Sequence, residues 1–388
     1  MSSALPSNRH WADRLRHTLI GFDFWLMLAL IVLCTVGLTI MYSAGYDNGE
    51  RFGQQSRNMV LGAILMLAIA QVPPARLMQC ALPLYALGVL LLLLVMVPGL
   101  GISRKGALRW LNVGFTSIQP SELLKIAMPL MLAFWFHKRE GAKTLFDYGI
   151  ASALLLVPVA LVLKQPDLGT ALLILASGLY VMFFAGLSWK LIIPVILLAG
   201  VGITALILAG DDICKPGVDW VVLHDYQKNR VCTLLDPNND PLGRGFHTLQ
   251  GMIAIGSGGL HGKGFMQGTQ THLHFIPERT SDFIFAAFSE EFGFTGVMVL
   301  LVIYLCIVAR CLYIAAVAPT LFSRLLGGAL GLVFFTYAFV NMGMVSGILP
   351  VVGVPLPMVS YGGTAMVTLG MGMGMLMSIS TSRRRFDS

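Results

Sequence analysis

The sequence predicts an all-α polytopic membrane protein of about ten transmembrane helices, with a large extracytoplasmic loop between helices 7 and 8. Three observations predict it. Hydrophobic residues make up 56% of the chain and charged residues 12%, whereas soluble domains carry about twice that charge. Mean hydropathy is +0.78. The apolar residues also gather into ten stretches, interrupted by one long polar segment.

Crossing ~30 Å of hydrocarbon at 1.5 Å per residue takes ~20 mainly apolar residues. The candidates run approximately 23–43, 57–72, 79–98, 120–137, 146–163, 168–186, 188–209, 282–312, 322–347 and 358–380. They divide the chain into a cytoplasmic tail at 1–22, one membrane domain at 23–380 and a second cytoplasmic tail at 381–388. The first tail carries Arg9, Arg14 and Arg16 and no small-residue cleavage site follows it, so no removable signal peptide is expected. Arg383, Arg384 and Arg385 at the far end agree with the positive-inside rule. Under this topology Arg51, Arg57, Arg104, Lys105, Arg109 and Lys164 lie in short outer segments, against the usual bias. An anionic ligand at the outer surface accounts for them, and so does contact with anionic headgroups.

The loop, residues 210–281, is far longer than a connector requires, and such loops are usually functional or disordered. It keeps apolar stretches at 247–255 and at Leu273, Phe275 and Ile276, and two glycine-rich turns at 241–245 and 256–264. An ordered cap with short amphipathic pieces is therefore expected. Cys214 and Cys232 share this loop, where a disulfide is open but undetermined by sequence.

Ionisable groups at membrane depth are costly and point to function. Asp282 ends the run Pro277-Glu278-Arg279-Thr280-Ser281-Asp282 and opens the eighth span. Two readings stand: a helix-capping acid, or a carboxylate base facing a phosphate-bearing substrate near Lys263 and Arg279. Glu290, two turns deeper, requires a cavity or a cation, and Glu291 suits a polar contact between helices. Glu122 and Lys125 are spaced to pair on one helical face, as a structural ion pair or as a cavity wall contacting diphosphate or metal. Trp110, beside Arg109, is either an interfacial anchor or a platform for a sugar whose phosphate Arg109 holds. The 256–264 glycines lack nucleotide P-loop spacing; they form turns or an anion nest. Asp167, after Pro166, caps the sixth span.

Several strings in order resemble the SEDS family of shape, elongation, division and sporulation proteins over nearly the whole chain. They are 105–110 (KGALRW), 119–122 (QPSE), 165–170 (QPDLGT), 225–230 (DYQKNR), Asp236-Pro237, 240–243 (DPLG), 256–259 (GSGG), 277–286 (PERTSDFIFA), 347–350 (GILP), 353–357 (GVPLP) and 359–363 (VSYGG). The Pro-Glu-Arg string resembles the RodA branch. The resemblance implies a peptidoglycan glycosyltransferase that polymerises lipid II into the growing glycan strand and works with a class B penicillin-binding transpeptidase of PBP2 type. It implies that Asp282 is the catalytic base, with undecaprenyl diphosphate leaving. Arg109, Trp110, Glu122, Lys125, Lys263, Glu278 and Arg279 are the candidate substrate-binding residues, assisted by a divalent cation, Mg²⁺ or Mn²⁺. Thr280-Ser281 stands where the family usually has His-Thr, so no side chain titrating near neutral pH precedes the aspartate. Competing classes are a lipid II flippase, whose charges would spread through several spans, and a non-catalytic scaffold for the transpeptidase.

Overall fold

The computed structural model describes residues 22–47, 49–104, 107–112, 117–214, 225–237, 240–241, 243, 245–273, 275–276 and 278–386. The N-terminal tail, Lys105 and Pro277 lie outside the described residues.

Among the described residues, each expected span is a long helix: α1 (Phe24–Ala44), α2 (Gly49–Ala70), α3 (Pro74–Val95), α4 (Pro120–Lys138), α5 (Leu145–Lys164), α6 (Leu168–Phe184) and α7 (Trp189–Leu208). After the loop helices α8 (Gly210–Ile213), α9 (Asp225–Leu235), α10 (Phe246–Gly258) and α11 (Thr269–His272) come α12 (Ile284–Ala316), α13 (Leu321–Val345) and α14 (Gly363–Phe386). Seven of these are long and apolar enough to cross a membrane, and the chain is a multi-pass membrane protein. Helices α2 and α4 fall outside the seven because polar residues crowd their N-terminal halves, and α6 because it has 17 residues.

The starts of these helices follow local rules. Asp23 accepts from the Leu26 N–H, Thr144 and Asp147 form a reciprocal capping box, and Asp167 accepts from the Thr170 N–H. Proline occupies the first turn of α3 and α4, where its missing N–H costs nothing. On α1 the buried Leu26, Leu30, Leu33, Gly37 and Ile40 recur at helical spacing; the helix packs on α12, and Gly37 lets the backbone of Met358 and Val359 approach.

Helix α4 is buried almost throughout and packs on α3, α5, α6, α13 and α14, which makes it the axis of the bundle. Helix α7 is the opposite case, with no buried residue, so its apolar side chains are left for lipid.

The chain is not helical throughout. The connector before α4, for which the sequence predicted no secondary structure, folds as a three-stranded antiparallel sheet: β1 (Gly101–Arg104), β2 (Ala107–Asn112) and β3 (Ser117–Ile118). An irregular backbone at the membrane surface would leave its polar groups underpaired, and cross-strand pairing satisfies them. The loop between α7 and α12 is ordered in its described parts, with α10 packed along α12 and a Cys214–Cys232 disulfide tying α8 to α9.

Candidate functional site

Four helices begin around one cavity of about 540 Å³, so their positive ends converge on it. Helix α4 contributes Glu122 and Lys125, α6 contributes Asp167 and Thr170, α14 contributes Thr364, and the residues leading into α12 contribute Glu278 and Asp282. Strand β2 adds Arg109.

The cap position of α12 is Phe283, which offers no side-chain acceptor, and the Asp282 carboxylate before it lines the cavity. The turn before it is tightly held. Ser281 N–H and Phe283 N–H both donate to the Glu278 carbonyl at 3.1 Å, and Ser281 Oγ donates to Glu278 Oε2 at 2.8 Å. Arg51 of α2 donates to Thr280 Oγ1 at 2.7 Å, and the Tyr361 N–H donates to the Thr280 carbonyl. From α13, the buried Asn341 Nδ2 donates to the Asp282 carbonyl at 2.9 Å and to the Val354 carbonyl at 2.8 Å. One amide thus pins the start of α12 to the 350–357 segment. Within that segment Gly353 sits at φ +72°, and a Cβ there would come within 3.4 Å of Asp282 Oδ2.

The opposite wall is cationic and already partly neutralised. Lys125 Nζ donates to Glu122 Oε1 at 2.5 Å and lies 5.4 Å from the centre of the Tyr337 ring. Thr368 of α14 donates to the other Glu122 oxygen. This pairing lowers the cost of two charges at membrane depth. Arg109 donates to the Gln165 and Pro166 carbonyls at 3.3 and 2.5 Å and lies 3.7 Å from Asp167. Asp167 both caps α6 and accepts from Gln119 at 3.3 Å.

The structure therefore brings Arg109, Glu122, Lys125, Glu278 and Asp282 to one cavity, and three other candidates elsewhere. Arg279 turns to the end of α1, where it pairs with Asp47 at 2.7 Å and donates to the Ala44 carbonyl. Lys263 pairs with Glu290 at 2.7 Å. Both cations have buried or semi-buried carboxylate partners, so neither charge is held at the cavity. Trp110 is not among the cavity-lining residues; Arg109 and Trp110 are consecutive on a strand and point to opposite faces. The 256–264 glycines form no anion nest. The N–H groups of Lys263 and Gly264 donate to the carbonyls of Glu290 and Glu291, and Gly262 and Gly293 let two backbones meet where any Cβ would clash. Glu291 accepts from Ser43 of α1, which is the interhelical contact expected of it.

Sequence reasoning missed Gln119, Asp167, Arg230, His247 and Tyr361 as lining residues. Asp167 carried a signal, since it ends the Gln-Pro-Asp string, but capping explained it fully. Arg230 and His247 sit on short loop helices whose docking no local pattern specifies.

For a divalent cation, the described residues assemble no group of three or more potential ligands. A closed protein cage is thus not formed. Mg²⁺ commonly needs only one or two carboxylates plus phosphate oxygens, and Glu278 and Asp282 share the cavity.

Comparison with known proteins agrees with this architecture. A family model described as FTSW_RODA_SPOVE, cell cycle protein, matches residues 17–385. The peptidoglycan glycosyltransferase MrdB of Escherichia coli (strain K12) is 45% identical over 368 residues, covering 94% of this chain and 95% of its own. The peptidoglycan glycosyltransferase RodA of Treponema pallidum (strain Nichols) is 30% identical, covering 92% and 97%. Among solved structures, the rod shape determining protein RodA of Thermus thermophilus matches with TM-score 0.68 and 29% identity, over 93% of this chain and 97% of that one. A chain from a peptidoglycan synthase complex that coordinates polymerization and crosslinking matches with TM-score 0.76 and 31% identity, over 93% and 98%. With its membrane helices, its loop and its full-length match, the chain belongs to the FtsW, RodA and SpoVE family.

Proposed function

We infer that this cavity is the active site of a peptidoglycan glycosyltransferase, which joins lipid II disaccharide units into glycan strands during cell elongation. The observation that carries the reading is the cavity itself: the Asp282 carboxylate shares it with Arg109, Lys125 and the starts of four helices. A base and an anion-binding wall in one enclosure are what attack by a sugar hydroxyl and departure of a diphosphate require.

Asp282 takes the proton from the acceptor hydroxyl of lipid II. That oxygen bonds to the anomeric carbon of the growing strand from the face opposite the leaving group, which inverts the centre. The bond from the anomeric carbon to phosphate breaks, and its electron pair leaves with undecaprenyl diphosphate. Arg109, Lys125 and the helix starts stabilise that charge, each helix start contributing about 0.3–1 kcal/mol. Glu278, together with the diphosphate oxygens, is the group suited to hold Mg²⁺ or Mn²⁺, whose chemistry is charge neutralisation of the leaving group. The Asn341 and Arg51 bonds keep the Asp282 turn in place.

The cavity opens extracytoplasmically, at the outer face of the inner membrane, in a ten-span topology with both termini cytoplasmic. The Cys214–Cys232 disulfide supports this side, because cytoplasmic thiols are kept reduced. The domain division at residues 1–22, 23–380 and 381–388 follows from the same topology. The working assembly includes a class B penicillin-binding transpeptidase, in keeping with the synthase complex whose chain this one resembles. A flippase would need polar groups along a path through the bundle; the polar groups of this cavity gather at the starts of four helices.

The deciding experiment supplies the purified chain and its transpeptidase partner with lipid II and a divalent cation, and assays glycan polymer. Asp282→Ala should abolish polymer, and chelation should depress it; undiminished polymer from Asp282→Ala would sink the assignment.

A further inference from the structure

A second cavity of about 290 Å³ adjoins the first and shares Arg230, His247 and Val351 with it. It lies between helix α9, helix α10 and residues 349–351. Its lining mixes two chemistries: Asn229, Thr233 and Thr248 bring amide and hydroxyl groups, while Leu234, Leu349, Pro350 and Val351 bring hydrocarbon.

His247 stands at the junction. Its ring is 5.9 Å from that of Phe283, the residue after Asp282, and its Nδ1 is buried with no hydrogen-bond partner among the described residues. A buried ring nitrogen without a partner is costly, and a ligand group that completes it removes the cost.

We propose that this second cavity is a saccharide subsite, holding the N-acetylated sugar unit next to the reacting one in the growing strand. This rests on the glycosyltransferase reading above. A pyranose has hydroxyl and acetamido groups at its rim and C–H bonds on its faces, which matches a lining of both kinds. A polyprenyl tail would leave the His247 Nδ1 without a partner, and a lone phosphate would leave Leu234, Leu349 and Pro350 uncovered. The position also fits the reaction. Between additions the strand must stay bound while the diphosphate departs and the next lipid II enters, and a unit anchored beyond Phe283 leaves the Asp282 cavity clear for exchange. His247 Nδ1 bonds the anchored unit, and Arg230 faces any carboxylate that it carries.

The test uses the full chain with its transpeptidase partner and lipid II, and separates the first coupling of two lipid II molecules from strand elongation. Thr233→Phe fills the cavity from a position that does not itself line the Asp282 site. First coupling should stay within about twofold while mean strand length falls roughly tenfold, the factor for ~1.4 kcal/mol of lost strand binding. Unchanged strand length, or first coupling that falls in parallel with it, overturns the subsite. Should Thr233→Phe fail to fold, the unaltered chain is photolysed with strands carrying a diazirine on the acetamido group. Labelling of residues 225–235 and 347–352 is expected, and labelling confined to other segments overturns the subsite. Absence of any polymer from the unaltered chain would instead sink the glycosyltransferase reading, and the subsite with it.

Discussion

Two carboxylates at the start of α12, Asp282 just before the helix and Glu290 in its second turn, sit in contrasting surroundings. Glu290 is fully buried and saturated: Lys263 Nζ donates at 2.7 Å, Thr269 Oγ1 at 3.2 Å, the N–H groups of Gln270 and Thr271 at 2.8 and 3.1 Å, and Thr271 Oγ1 at 3.0 Å. Asp282 lines a cavity, and Gly353 lies against its carboxylate, where a Cβ would come within 3.4 Å of Oδ2. Both regions combine acids, cations and glycines, so composition does not tell them apart. The difference lies in what the glycines do. Gly262 and Gly293 let two backbones close on each other and seal the Glu290 knot, whereas Gly353 keeps side-chain bulk away from Asp282 and leaves room for a ligand.

The largest effects should come from exchanging the two acids for their amides. Asp282→Asn should cut polymerisation by about 10²–10⁴-fold with unchanged thermal unfolding in detergent. Glu290→Gln should do the reverse, costing about 3–5 kcal/mol of stability while surviving protein turns over within a few-fold of the parent. Loss of turnover at full stability in Glu290→Gln would break the comparison.

A smaller contrast involves the two lysines. Lys125→Ala leaves Glu122 without its cation at the cavity wall and should lower both stability and polymerisation. Lys263→Ala, at a side chain 26% exposed, should lower the unfolding temperature alone, by an amount that ~1–3 kcal/mol accounts for. Equal losses of turnover in the two variants would return Lys263 to the active site. The smallest effect is expected at Trp110. Trp110→Ala should change turnover by less than about twofold, measured in the same polymer assay, since the cavity wall is formed by its neighbour Arg109.

Much of the architecture was legible in the chain. Apolar runs of sufficient length must become helices in hydrocarbon, where every backbone polar group has to be satisfied internally, and Pro120 and Asp167 marked where α4 and α6 begin; α2 and α3, expected from 57 and 79, begin earlier, at Gly49 and Pro74, because their first turns carry polar residues. The small sheet before α4 was not legible, because its strands are two to six residues long and one carries the mixed string Leu-Arg-Trp-Leu. Within the site, Asp282, Glu122 and Lys125 stood out because charge at membrane depth is rare. Asn341 did not, since an amide inside an apolar helix has many ordinary uses, and its bonds to the Asp282 and Val354 carbonyls link segments far apart in sequence.

The sequence by itself determined the membrane-spanning character and the pairing of Glu122 with Lys125, which depend on length against bilayer thickness or on neighbours within a few residues. Only the tertiary structure decided which charges share a cavity. Lys263, Arg279 and Arg109 look alike as outer cations, but a cation goes to whichever carboxylate or carbonyl the packing of distant helices brings within about 3 Å. For Lys263 that is Glu290, for Arg279 it is Asp47, and for Arg109 it is the turn between α5 and α6, at the edge of the space that Asp282 faces.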